Sequence, residues 1–277
     1  NDDEMNFLMV ELLISTAHIQ DAWDRFQMLS DAYRKRFHSQ YTLGIIYSLM
    51  KNWPNAEGCF RAAIELGDPS AAAKAALAFV ACIQGRLDEG KAYLVEAETN
   101  PNQTPEDRNQ IAECYLLLEQ TQRARDLARK LTEQSSQDAR YWSLLGRAEM
   151  KLLNFGDSES AFTRAMACPN STPWIQVHYA EMLYASHREE EALIQATDAE
   201  ERCKKLNVPI LIPSLYNLLA TLYAKSGQIQ LSQRYLTLSY QLDPSQSRIQ
   251  DLLKKITNSQ QPESHPETIS DVTPSVP

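Results

Sequence analysis

Trp142-Ser143-Leu144-Leu145-Gly146-Arg147-Ala148, followed by Phe162, Ala165 and Pro169, decides the fold of this chain. Its apolar residues recur at the i, i+3, i+4 spacing of a buried helical face. Gly146 supplies the small surface over which a bulky ring such as Phe162, on a second helical segment, can pack where two antiparallel helices approach. Pro169 stands beyond that second segment, where a residue that cannot continue a helix belongs.

The same order of residue classes returns outward from this stretch with a period of 34 residues. Blocks begin at Asp3, Phe37, Ala71, Pro105, Ala139 and Pro173, then at Pro213 after a six-residue excess. The eighth place reads Val10, Gly44, Ala78, Ala112, Gly146, Ala180 and Ala220. The twentieth reads Ala22, Ala56, Gly90, Ala124, Ser158, Ala192 and Ser232, and the twenty-fourth Phe26, Phe60, Leu94, Ala128, Phe162, Ala196 and Leu236. Prolines collect at block boundaries, and Thr104-Pro105 and Thr172-Pro173 read as an N-cap followed by the first helical residue.

Composition agrees with helices. The 277 residues contain only 8 Gly, too few for the turns of an all-β sandwich. A formal charge of −9, from 36 acidic against 27 basic side chains, would repel a phosphate backbone, so no nucleic-acid partner is expected. Cys59, Cys82, Cys114, Cys168 and Cys203 are scattered without a CxxC pair. They read as free thiols of a reducing compartment, which predicts a cytoplasmic location, with a periplasmic or membrane-anchored protein as the alternative. No apolar run reaches membrane-spanning length, so no span is expected in this chain. The sequence holds no GxGxxG, no GxxxxGK[ST] and no HExxH, and its five His are dispersed. Neither an enzyme, a cofactor nor a metal is therefore expected. Glu189-Glu190-Glu191 read as carboxylates favouring a helix N-terminus.

Leu43-Gly44, Tyr47, Ala56, Phe60 and Ala63 in the second block, the quoted residues of the fifth, and Tyr216, Leu219-Ala220, Tyr223, Gly227, Leu236 and Pro244 in the seventh resemble the tetratricopeptide repeat (TPR). The resemblance implies an all-α, right-handed superhelical solenoid of about seven helical hairpins. Its repeats would lie near 3–36, 37–70, 71–104, 105–138, 139–172, 173–212 and 213–246. Ser247-Arg248-Ile249-Gln250 has the form of a capping box opening a capping helix over 247–257, and 258–277, rich in Pro, Ser and Glu, predicts a disordered tail. On the block register, Leu at Gly44, Gly146 or Ala56 is expected to cost about 1–3 kcal/mol by overpacking, and Leu at Glu57 nothing.

In this family the first helix of each repeat lines a concave groove, which the resemblance carries onto three zones. An apolar N-terminal zone holds Phe7, Leu8, Tyr41, Ile45, Leu49, Phe79 and Ile83; the alternative is that these residues pack repeats together or bury a self-association face. A middle zone changes sign from Asn109 and Glu113 to Arg140, Arg147 and Lys151, where two cations could hold an acidic side chain or terminus, or pair with Glu113 and Glu181 within the chain. A third zone offers Trp174, Val177, His178, Glu181 and Tyr184. The basic residues of the chaperone-binding carboxylate clamp are absent, since Phe7, Glu11, Tyr41, Ile45, Ala75 and Phe79 stand at the corresponding places. The resulting expectation is a non-enzymatic adaptor or chaperone that holds an apolar or amphipathic protein segment, with an acidic end, as in bacterial secretion or pilus-assembly proteins of this kind. The alternative is a homo-oligomeric scaffold.

Overall fold

The computed structural model describes residues 2–16, 18–68, 70–206 and 213–259, with side chains through Leu253. Among these residues there are sixteen helices and no strand. They are α1 (Asp2–Ser15), α2 (Ile19–Gln27), the short α3 (Asp31–Arg34), α4 (Phe37–Leu49), α5 (Trp53–Glu65), α6 (Ala72–Ile83), α7 (Leu87–Glu98), α8 (Pro105–Leu117), α9 (Thr121–Gln134), α10 (Ala139–Lys151), α11 (Phe155–Ala167), α12 (Pro173–Ala185), α13 (Glu189–Lys205), α14 (Pro213–Lys225), α15 (Ile229–Leu242) and α16 (Ser247–Ser259).

The chain divides into two compact units, Asn1–Leu211 and Ile212–Pro277. In the first, α1/α2, α4/α5, α6/α7, α8/α9, α10/α11 and α12/α13 form antiparallel hairpins, and each first helix from α6 onward also packs on the hairpin before it. In the second, α14 pairs with α15 and α15 carries α16. The repeat boundaries given by the period we carry forward as a proposal about the unit of folding. Its last element differs from the expectation: α16 runs two residues further, to Ser259, and begins after Gln246, whose carbonyl accepts from the Gln250 N–H, so Ser247 is not the cap. Residues 207–212 and 260–277, the six-residue excess and nearly all of the expected tail, lie outside the described residues.

Small residues set the spacing inside each hairpin. A Cβ on Gly44 would stand 2.5 Å from the Phe60 ring, and one on Gly146 would stand 3.0 Å from Phe162. Ser158 is buried at its small-residue place, and its hydroxyl donates to the Gly146 carbonyl at 2.8 Å. The proline caps divide: Thr104 forms a full capping box with Asp107, whereas Thr172 precedes α12 without a side-chain cap.

The turn between the paired helices repeats as faithfully as the packing, and the period as read above did not include it. Lys51, Gly85, Glu119, Leu153, His187 and Gly227 stand at the fifteenth place of their blocks, all with φ between 56° and 77°. After each, a backbone N–H reaches back to close the helix end, as Asn154 N does to Glu149 O at 2.9 Å. Gly85 and Gly227 take this left-handed conformation freely; Leu153 does so against its Cβ, at about 1–2 kcal/mol. Leu153 is 72% exposed, so truncating it removes little packing. Leu153→Gly is therefore expected to raise stability by about 0.5–1 kcal/mol after the added entropy of the unfolded glycine is subtracted. A thermal melt that falls would overturn this.

Ion pairs tie successive hairpins at recurring places. Arg86 Nη2 meets Glu57 at 2.6 Å and Arg188 Nη1 meets Glu159 at 2.8 Å, the same two places in different blocks. The hydrogen bond from Arg61, with that from Arg86, holds the Glu57 carboxyl below its ordinary range. Leu at Glu57 is consequently not neutral as the register alone suggested, because it breaks a link between hairpins. Glu191 of the acidic run pairs with Arg188 at 2.7 Å.

Candidate functional site

The site is built on α6, Ala-Ala-Lys-Ala-Ala-Leu-Ala-Phe-Val-Ala-Cys-Ile over Ala72–Ile83. Ala73, Ala75, Ala76, Ala78 and Ala81 are buried, and a helix so thin in side chains lets its neighbours meet across it. Gln110 of α8 donates from Nε2 to the Tyr41 hydroxyl of α4 at 2.9 Å, a contact between residues 69 apart in sequence. The Cys114 thiol donates to the Ala75 carbonyl at 3.4 Å.

Beside this bridge lies a cavity of about 240 Å³ lined by Ile45, Ser48 and Leu49 of α4, Phe60 of α5, Ala75, Ala76 and Phe79 of α6, and Gln110, Glu113 and Cys114 of α8. Its floor is apolar and its α8 wall is polar. Burial pushes the Tyr41 phenol up to about 12, so it remains protonated through the neutral range. The carbonyl oxygens of Gln110 and Asn109, both on α8, are buried and accept no hydrogen bond from the protein. A buried acceptor left without a donor costs about 1–3 kcal/mol, which a donor brought by a bound segment would recover.

Glu113, on the polar wall, accepts from Arg147 Nη1 at 2.6 and 2.7 Å. Arg140 is bound to Asp138 at 2.7 Å and to Glu106. Glu106 with Arg140, and Glu113 with Arg147, are each 34 residues apart, so opposite charges occupy the same place on neighbouring first helices and neutralise one another. The expected basic strip for an acidic terminus is therefore taken up internally at two of its three residues; Lys151 is exposed and makes no ion pair among the described residues.

The other expected groove residues are distributed as follows. Phe7 is buried, its ring 5.6 Å from that of Tyr33 and 6.2 Å from His38, and packs the first hairpin instead of lining a groove. Leu8 and Ile83 are exposed, Ile83 one turn beyond Phe79 and outside the cavity wall. Val177 is fully buried, His178 Nδ1 lies 3.1 Å from Glu181, and Trp174 and Tyr184 are half-buried on α12, away from the cavity. Ser48, Phe60, Ala76 and Cys114 also line the cavity, although none of them is among the groove residues expected from the sequence. The run of alanines in α6 was the available signal for them.

No cluster of three or more His, Cys, Asp or Glu suited to a metal occurs among the described residues. All five cysteines are free, and burial pushes each thiol up, Cys59 to about 11, so none is poised as a thiolate. No described helix is long and apolar enough to cross a membrane.

Helical hairpins with a small-small-large packing repeat define the class: the fold is that of the tetratricopeptide-repeat solenoids. No family model matches the chain, and no curated protein matches it. Solved structures do. A chain in the crystal structure of the APC/C hetero-tetramer Cut9–Hcn1 is similar with a TM-score of 0.63 at 14% identity over 89% of this chain and 47% of that one, so this chain spans about half of that relative. A tetratricopeptide repeat protein from Parabacteroides merdae ATCC 43184 is similar with a TM-score of 0.63 at 12% identity, covering 93% of this chain and 99% of that one. Pseudomonas aeruginosa pilF is similar with a TM-score of 0.52 at 16% identity, covering 79% and 97%.

Proposed function

We propose that this protein is a non-enzymatic interaction module that holds a segment of a partner protein against α4, α6 and α8, with an apolar side chain of that segment seated between Ile45, Leu49 and Phe79. The observation that carries this reading is the cavity itself, an apolar pocket with Gln110 in its wall, whose buried side-chain carbonyl lacks a donor. At about 240 Å³ it is smaller than the roughly 300–1,000 Å³ of cofactor and drug-sized sites. It suits one or two side chains of a polypeptide whose N–H groups can reach Gln110. The hetero-tetramer Cut9–Hcn1, in which a similar chain occurs, supports an assembly role for the fold. A setting in bacterial secretion or pilus assembly is the narrower form of the proposal, supported by the apolar groove and the likeness to pilF.

The test is a peptide array probed with the full chain, followed by dissociation kinetics on the peptides retained. Phe79→Ala is expected to weaken binding at least tenfold, chiefly through faster dissociation, because truncating a pocket anchor removes contacts of the formed complex. Lys151→Glu is expected to alter association and its salt dependence, since an exposed charge acts through steering. Arg147 is unsuited to that purpose, because Glu there would face Glu113. Retention of the same peptides with unchanged kinetics in both Phe79→Ala and Ile45→Ala would sink the reading.

A further inference from the structure

One place of the repeat carries an apolar side chain in solvent on three successive hairpins. The thirteenth place of a block, the end of its first helix, is Leu49 on α4, Ile83 on α6 and Leu117 on α8, which are 45%, 44% and 38% exposed. The core does not draw on them: at the tenth place of the same helices Ile46, Val80 and Cys114 are buried. Leu49 lines the cavity, whereas Ile83 and Leu117 lie beyond its wall. The three therefore form a row that leaves the cavity and crosses the first helices. On α10 the thirteenth place is Lys151, exposed and without an ion pair among the described residues. Four residues before it, Arg147 is already neutralised by Glu113. The row thus ends on an available cation.

The spacing of the row selects the form of its guest. Packed helices lie about 8–10 Å apart, so a segment crossing them meets one apolar side chain per step of that size. A polyproline II segment turns once every three residues, about 9 Å, and presents its residues i, i+3 and i+6 on one side. An α-helix needs about seven residues for the same step, and beyond its first turn its N–H groups are taken up by its own carbonyls. Gln110, in the cavity wall, has a buried side-chain carbonyl without a donor. An extended guest brings free N–H groups to it along its whole length, and a helical one does not. Lys151, one helix beyond Leu117, calls for a carboxylate one further step along the guest.

We infer that Leu49, Ile83, Leu117 and Lys151 form one linear site for an extended partner segment of about ten residues, apolar at every third position and ending in a carboxylate three residues past the last apolar one. The inference rests on the reading of the cavity as a partner site and adds the conformation and pattern of the guest. The probe is a synthetic peptide of about 13 residues with Leu at i, i+3 and i+6, Ser and Pro between them, and Glu three residues outside each end, so that either chain direction is served. One control carries Lys in place of both Glu, and another has the same composition with its leucines at i, i+2 and i+4. Fluorescence anisotropy with the full chain is expected to show at least tenfold tighter binding of the probe than of either control. Ile83→Glu and Leu117→Glu should each weaken it at least tenfold without lowering the thermal melt, since both side chains are exposed. Lys151→Glu should make the Lys-ended peptide the better ligand. Absent binding of the probe, equal affinity for the probe and the control with shifted leucines, or binding unchanged in Leu117→Glu overturns the inference. Self-association of the full chain in sedimentation that Leu117→Glu abolishes also overturns it, because a second copy would then cover the row. Array peptides that need Phe79 yet are indifferent to Ile83→Glu and Leu117→Glu would remove the row and leave the cavity reading in place.

Discussion

Gly44→Ala is expected to destabilise this protein by about 1–3 kcal/mol, while Gly58→Ala in the facing helix is expected to stabilise it by about 0.5–1 kcal/mol. Both glycines lie inside helices, α4 and α5, where alanine is the better helix former. They differ in what surrounds them. A Cβ on Gly44 would stand 2.5, 2.7 and 2.9 Å from three atoms of the Phe60 ring, whereas one on Gly58 meets nothing within 4 Å. Phe60 is 2% exposed and sits in the cluster of Ala56, Ala76, Leu77 and Val80, so its ring can yield only by disturbing that packing or by swinging into the cavity it lines. Leucine at Gly44 should cost more than alanine. At roughly 2–4 °C per kcal/mol for a chain of this size, paired thermal melts resolve the opposite signs. Equal shifts in the two alanine variants would mean that the close crossing of α4 and α5 does not exist.

Arg129→Leu is expected to cost about 3 kcal/mol, the largest effect of any single surface cation. Its partner Glu149 is 1% exposed in α10, and both carboxylate oxygens are satisfied, one by Arg129 Nη2 at 2.6 Å and the other by Asn154 Nδ2 at 2.8 Å. Removing the guanidinium leaves a buried carboxylate with a single neutral donor. Arg129→Leu/Glu149→Gln should recover most of the loss, because a neutral amide can still accept from Asn154 and carries no charge to be compensated. Denaturant unfolding of the single and double variants measures the difference. A double variant no better than Arg129→Leu would show that the guanidinium acts through its packing on α10 and not through the carboxylate.

Phe79→Ala bears on function and Leu153→Gly on the turns, and the two rest on different readings of the chain. Phe79 followed from the groove places that the family resemblance supplied. The left-handed fifteenth place did not follow from any residue type, since Lys51, Glu119, Leu153 and His187 occupy it beside Gly85 and Gly227. Only two of the six positions carry the glycine that would have announced the turn, and the hydrogen bonds that close each helix impose the conformation on the rest.

Local signals in the chain suffice for the hairpins. Helix periodicity, the small residues at Gly44, Ala56, Gly146 and Ser158, the rings at Phe60 and Phe162 and the boundary prolines are local signals, each acting within a turn or between paired helices. The middle-zone ion pairs were also within its reach, because opposite charges 34 residues apart occupy equivalent places on adjacent helices. Packing between repeats, by contrast, sets which apolar residues face a cavity, which face the core and which face solvent. Phe7 and Phe79 stand at groove places alike, yet Phe7 closes on Tyr33 while Phe79 lines the cavity, because α6 is thin enough for Tyr41 and Gln110 to meet across it. Met5, Met9 and Leu12 stand at packing places of the first block, yet they are exposed. The physical reason is the same in both cases: a side chain's exposure depends on the bulk of whatever lies against it, and that neighbour is one or two repeats distant in the chain.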